Sequence, residues 1–239
     1  MMSFSQNIPR NVKKLMSAYP QQIIDFKSNK IVFKDGSSMI YDDEKKKSFQ
    51  ETLDNPDIQD QFKYNYVKGR TKNIPTKNQD PGRIRNIAFF KKIYGSTKEE
   101  AQANLTEILW CPKLVNQKIK VTTVNKIDKI LTKLSIELDN HPEYLEYLKN
   151  IAGTFEWRNI AGTNRLSMHS FGMTMDINLE KTNYWQWDCN CQNEDAILIY
   201  QNKIPLGLVE IFEKYGFIWG GKWYHHDTMH FEYRPELLN

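Results

Sequence analysis

The sequence predicts an α+β fold, in which helices and short strands mix without a repeating strand–helix–strand unit. Three observations carry this expectation. Apolar residues recur at helical spacing through Ile127, Ile130, Leu131 and Leu134, and again in "LGLVEIFEKYG" at 206–216. Short runs such as "GTFEWRNI" (153–160), "FGMTMDINL" (171–179) and "HFEYR" (230–234) read as strands. The two patterns follow each other irregularly, and no internal repeat runs through the chain.

Taken in order, "IVFKDGSSMIYDD" (31–43) reads as a hairpin turning at Asp35-Gly36, and "EKKKSFQETLDN" (44–55) as a helix with a solvated face. Residues 68–82 are polar, hold two prolines and lack apolar periodicity, so they read as a loop or linker. They separate an N-terminal extension of unassigned role (1–80) from a second domain (81–239). "RIRNIAFFKKIYG" (83–95) and "STKEEAQANLTEILW" (96–110) read as helices. The second is capped by Ser96 or Thr97 and carries Glu99 and Glu100 in its first turn. Residues 120–150 read as mostly helical, and the helix at 206–216 ends on Gly216.

Composition bounds the function. Hydrophobic residues make up 40% and charged residues 26% of 239, which is the balance of a globular protein. The net charge of +4 comes without a stripe of Lys and Arg interleaved with aromatics, so nucleic acid is not expected as a partner, whereas an anionic polymer suits it. No window approaches the roughly 18 apolar residues of a membrane span. The N-terminal "MMSFSQNIPRNVKKLMSAYP" lacks the apolar core of a signal peptide, which leaves a cytoplasmic protein or a leader removed upstream. Of three cysteines, Cys189 and Cys191 in "CNC" read as two free thiols in a loop, with a local disulfide or half a metal site as the other readings.

The chemistry concentrates in two stretches. "SMHSFGMTMDIN" (167–178) places His169 and Asp176 seven apart around Gly172, in apolar surroundings where each needs a partner. A bend at Gly172 lets His169, on the loop, and Asp176, within the strand, face one point. "WGGKWYHHDTMHFEY" (219–233) supplies Asp227 and, three residues on, His230. A zinc site needs about three protein ligands and an open position for water, with a carboxylate nearby to take the water's proton. His169, Asp176 and His230 fill the ligand roles and Asp227 that of the base. The imidazole-rich set favours zinc over other divalent ions.

At these residues the chain resembles the zinc D,D-carboxypeptidase family of peptidoglycan peptidases, which includes VanY- and VanX-type enzymes and phage L-alanyl-D-glutamate endolysins. The family signature is S-x-H-x-x-G-x-A-x-D, followed near the C-terminus by E/D-x-x-H. Ser167, His169, Gly172 and Asp176 fall on the first motif, and Asp227 and His230 on the second, with "WGG" and "HFE" beside it. Thr174 replaces the usual small residue, and Asp227 stands where many relatives carry Glu, as in the endolysin-like branch. The resemblance covers roughly residues 150–239.

The resemblance implies a small antiparallel sheet carrying the zinc site, flanked by helices, as in D,D-peptidase and Hedgehog-like folds. It implies hydrolysis of stem-peptide bonds, as a D-Ala-D-Ala carboxypeptidase or an L-Ala-D-Glu endopeptidase, by a periplasmic, extracellular or phage-delivered protein. It also implies an arginine that binds a substrate carboxylate or polarises the scissile carbonyl: Arg158 is the first match and Arg165 the second. Ser167 contacts substrate backbone or holds the His169 loop. Glu232 suits an acceptor orienting a ligand imidazole or, equally, the outward residue of a strand. His225 and His226 read as solvated loop histidines, and His141 has no assigned role. Trp185, Trp187, Trp219 and Trp223 read as cleft walls or, for most of them, as core. The alternative from another class is a non-catalytic cell-wall or protein-binding module that keeps the fold, against which the retained Asp227 argues.

Overall fold

Helix α1 (Arg10–Ala18) buries Val12 and Leu15, and Tyr19 after it is fully buried. A three-stranded antiparallel sheet follows, β1 (Ile23–Lys27), β2 (Lys30–Phe33) and β3 (Ser38–Ile40), in that spatial order. The β2–β3 hairpin turns at Gly36, where φ is +83°. Strand β1 is an addition to the sequence reading. Helix α2 (Phe49–Asp54) is shorter than expected, because Ser48 and Glu51 close a reciprocal capping box and leave Glu44–Lys47 outside. The computed structural model describes residues 8–70 and 74–238.

Among its described residues, 68–82 holds neither helix nor strand, yet it is tied down. Lys222 Nζ donates to the carbonyls of Val67 and Gly69, and Glu213 accepts from Gly69 N–H at 2.6 Å. Helix α3 (Ile87–Tyr94) starts at an Asn86 cap, later than the expected 83, and α4 (Lys98–Ala103) starts at Thr97, one of its two expected caps. The expected continuation of α4 to 110 is wrong. Asn104 ends the helix, and β4 (Leu105–Trp110) pairs with β5 (Gln117–Thr122), which also removes 120–122 from the expected helical stretch. The pairing sets Thr106 against Val121 and Ile108 against Ile119, contacts that β-branched side chains favour in strands over helices. Helices α5 (Ile127–Leu138) and α6 (Leu145–Leu148) follow.

The remaining elements are β6 (Thr174–Asp176), α7 (Trp185–Cys189), α8 (Leu206–Lys214), β7 (Phe217–Trp219), β8 (His230–Tyr233) and α9 (Pro235–Leu238). Strands β6, β8 and β7 form an antiparallel sheet with β8 in the centre. The stretch 153–160 forms only isolated bridges, Gly153 to Asp176 and Asn159 to Leu166, where a strand was expected. The fold class is α+β. One hydrophobic core joins Tyr19 and Phe33 to Phe89 and Phe90 of α3, to Phe171, and to Phe212 of α8, which stacks on Phe231 of β8 at 3.8 Å. Residues on both sides of position 80 contribute to it. Among the described residues, no helix is long and apolar enough to cross a membrane.

Cys189 and Cys191 form a disulfide, correcting the free-thiol expectation. Asn190 between them adopts a left-handed conformation that folds the chain back and brings their Cα atoms to 5.2 Å. Cys111 is buried, and burial, with Asp139 second, pushes its thiol up to about 12. Thiol titration with an aromatic disulfide reagent therefore detects almost nothing in the native protein, one thiol after denaturation, and all three only after reduction.

Candidate metal centre and cleft

The central sheet brings the two motifs together. Its register sets Asp176 directly opposite His230, so the side chains meet across β6 and β8. His169 arrives on a 3₁₀ turn (Met168–Phe171) whose N-cap, Ser167, accepts the His169 N–H on its hydroxyl at 3.3 Å. Gly172 ends the turn at φ +64°, and a Cβ there would lie 2.7 Å from Leu105 Cδ2 and 3.2 Å from the Thr122 nitrogen. Both the left-handed backbone and the close approach to β5 require glycine. Ser167 is buried and holds the His169 turn.

His169 Nε2 lies 3.2 Å from one Asp176 oxygen and His230 Nδ1 3.0 Å from the other. One ligand atom from each residue can be chosen so that all three lie within 4.8 Å of one another. Ligands about 2.05 Å from a tetrahedral zinc stand about 3.3 Å apart, so this donor set and spacing fit such an ion with little adjustment. The other nitrogen of His230 faces Glu232 at 3.1 Å. Glu232 is fully buried, not the outward residue of a strand, because both faces of β8 are covered. Asp227 lines the same cleft, and its Oδ1 is buried without a hydrogen-bond partner.

Charge is distributed unevenly here. Burial, reinforced by the Asp176 carboxylate, pushes Asp227 up to about 6 against the pull of His230, His169 and Arg85. Burial opposes ionisation of Asp176 too, but His169 and His230 hold it well below the usual carboxylate range. His230 is pushed up to about 10: burial works against its charge, and the bonds to Asp176 and Glu232 outweigh it.

The cleft has a volume of about 1340 Å³. Helix α2 and Asn55–Pro56 contribute to its wall, as do Trp185, Trp187 and Trp223, whereas Trp219 is buried against Phe231. Arg158 lines the cleft with its guanidinium on Glu156 (2.9 Å) and the Asn159 carbonyl. Arg165 also lines it. Its Nη2 donates to Glu194 at 3.3 Å, and its buried Nε has no hydrogen-bond partner. The arginine beside the cluster is one that sequence reading missed. Arg85 grips Glu232 through Nε (3.0 Å) and Nη2 (2.5 Å), stacks over Trp223, and reaches within 3.5 Å of His230 Nε2. The one trace of it in the sequence is the doubled arginine of "RIR".

His225 and His226 are buried, contrary to expectation. His225 Nδ1 lies 2.7 Å from Asp80, while Arg83 bridges Asp80 and Glu194. His141 is partly exposed, beside Glu143.

Residues 161–233 match a family model described as D-alanyl-D-alanine carboxypeptidase. This segment is similar to that peptidase family. The matched segment contains Ser167, His169, Asp176, Asp227 and His230, while Arg85, Arg158 and α2 lie outside it. No curated protein and no solved structure matches the chain.

The His230 proton must leave before a metal can take Nδ1. Zinc uptake at pH 7.5 is expected to release about one proton, and affinity to weaken about tenfold per unit fall in pH. Calorimetry in buffers of different ionisation heat measures both. Glu232→Gln should weaken zinc binding by about 10- to 100-fold, read by competition with a chromophoric chelator.

Proposed function

We propose that the chain is a zinc peptidase acting on peptidoglycan stem peptides, as a D-Ala-D-Ala carboxypeptidase or an L-Ala-D-Glu endopeptidase. The observation that carries this reading is the convergence of two imidazoles, one carboxylate and an unpartnered, destabilised Asp227 carboxylate in one cleft. The family match supports the peptidase class. A substrate rich in carboxylates suits a cleft lined by Arg83, Arg85, Lys91, Arg158 and Arg165.

His169, Asp176 and His230 would hold the ion. Zinc there supplies Lewis acidity, which lowers the pKa of water and polarises a carbonyl. Asp227 accepts the attacking water's proton and passes it to the leaving amine, a role for which a carboxyl raised by burial is suited. Arg85, held by Glu232, lines the cleft and adds positive charge beside the site. Arg165 and Arg158, farther along the lining, take substrate carboxylates.

Peptidoglycan lies outside the cytoplasm, and the reading places the site of action there. The purified chain should cleave muropeptides, with chelation or Asp227→Ala lowering the rate by at least about 100-fold. Product masses identify the bond: loss of D-Ala marks the carboxypeptidase, a cut after L-Ala the endopeptidase. No cleavage by folded, zinc-loaded protein overturns the reading in favour of a binding module. The base works deprotonated, so activity is retained above its pKa and lost below it. A bound cation pulls that value down, so the acid limb of kcat should lie at or below about 6.

A further inference from the structure

Among the described residues the Asp227 side chain makes no hydrogen bond, so nothing in direct contact aims it. Its neighbours in sequence are held by backbone bonds, among them Trp185 N–H to the His226 carbonyl at 2.8 Å, and by side-chain bonds that lead to one carboxylate. His226, before it, is buried with Nε2 2.7 Å from Asp188 Oδ2. A carboxylate accepts, so Nε2 is the donor in this bond, and Nδ1 makes no hydrogen bond. Thr228, after it, is locked to Asn183. The Thr228 N–H donates to the Asn183 carbonyl at 2.9 Å, and the Asn183 N–H to Thr228 Oγ1 at 2.7 Å. Asn183 Nδ2 then donates to Asp188 Oδ1 at 3.2 Å. Each oxygen of Asp188 thus serves one flank of Asp227.

We propose that Asp188 is the positioning residue for Asp227, holding His226 directly and Thr228 through Asn183 so that the base is aimed from behind. The inference rests on the reading of Asp227 as general base. It makes a prediction that a generally structural role does not. The metal cluster hangs on different bonds: Ser167 for His169, the β6–β8 register for Asp176, and Glu232 for His230. Loosening Asp188 should therefore misplace the base while leaving metal binding untouched. A misplacement of about 1 Å costs on the order of 100-fold in rate.

The test compares zinc-loaded full-length wild type with Asp188→Ala, His226→Leu and His226→Gln, the last of which keeps an N–H donor for Asp188. For each protein, kcat and KM on muropeptides are measured beside zinc affinity by chelator competition and folding by circular dichroism. Asp188→Ala and His226→Leu should lose about 10- to 100-fold in kcat, with KM and zinc affinity within about twofold of wild type. His226→Gln should recover kcat to within about threefold of wild type. Unchanged kcat in folded Asp188→Ala overturns the proposal. So does a joint loss of kcat, KM and zinc affinity, which marks a merely structural role. If Asp188→Ala does not fold, the two His226 variants decide, and equal activity in them overturns the proposal. A folded, zinc-loaded wild type that cleaves nothing overturns the peptidase reading itself, and this inference with it.

Discussion

The buried carboxylate of Glu232 is the constraint on which this site depends. An ionised group there costs several kcal/mol unless its charge is answered. Two guanidiniums and an imidazole answer it: Arg85 at 2.5 Å, Arg234 at 3.0 Å and His230 at 3.1 Å. They hold the carboxyl well below its usual range despite its burial. The chain of charge continues outward. Arg234, itself fully buried, binds Glu236 at 2.5 Å, and Glu236 accepts the Tyr19 hydroxyl at 2.9 Å. A line of hydrogen-bonded polar groups thus runs from the end of α1 to the cluster, with only Arg234 Nη2 in it left without a partner. Glu232 also fixes which way His230 points, because its bond to Nε2 leaves Nδ1 toward Asp176 and His169.

The second constraint is steric. Sheet register sets Asp176 against His230, and a slip of one residue would turn one of them to the other face. The His169 turn then closes against β5 with no room for a side chain at position 172. Gly220 has a similar role on the other side: a Cβ there would meet the Asp227 carbonyl at 2.5 Å. The motif glycines are explained by this close backbone packing, and the motif's acid and imidazole groups by the chemistry they surround.

Sequence reading succeeded where the signal is local. The Gly36 hairpin, the Thr97 cap, the Gly216 helix end and the turn at Gly172 each depend on a few neighbouring residues. The residues brought together at the cluster were legible because Ser167, His169, Gly172 and Asp176, then Asp227 and His230, stand at fixed offsets. What failed depended on distant partners. Leu105–Trp110 carries no Gly or Pro before it, and only pairing with 117–122 makes it a strand. Arg85 lies 147 residues from Glu232 and Asp80 lies 145 from His225, so no local pattern ties them to the site. His225 and His226 were misjudged for the same reason: the carboxylates that permit their burial, Asp80 and Asp188, come from elsewhere in the chain.

The central claim is that Glu232 presents His230 so that its Nδ1, with His169 and Asp176, holds a single ion. Diffraction from zinc-soaked crystals on both sides of the zinc absorption edge tests it most directly. The account predicts one anomalous peak at about 2.0–2.2 Å from His169 Nε2, an Asp176 oxygen and His230 Nδ1, with the His230–Glu232 bond intact. An empty cluster at saturating zinc, or coordination through His230 Nε2 with that bond broken, would contradict it.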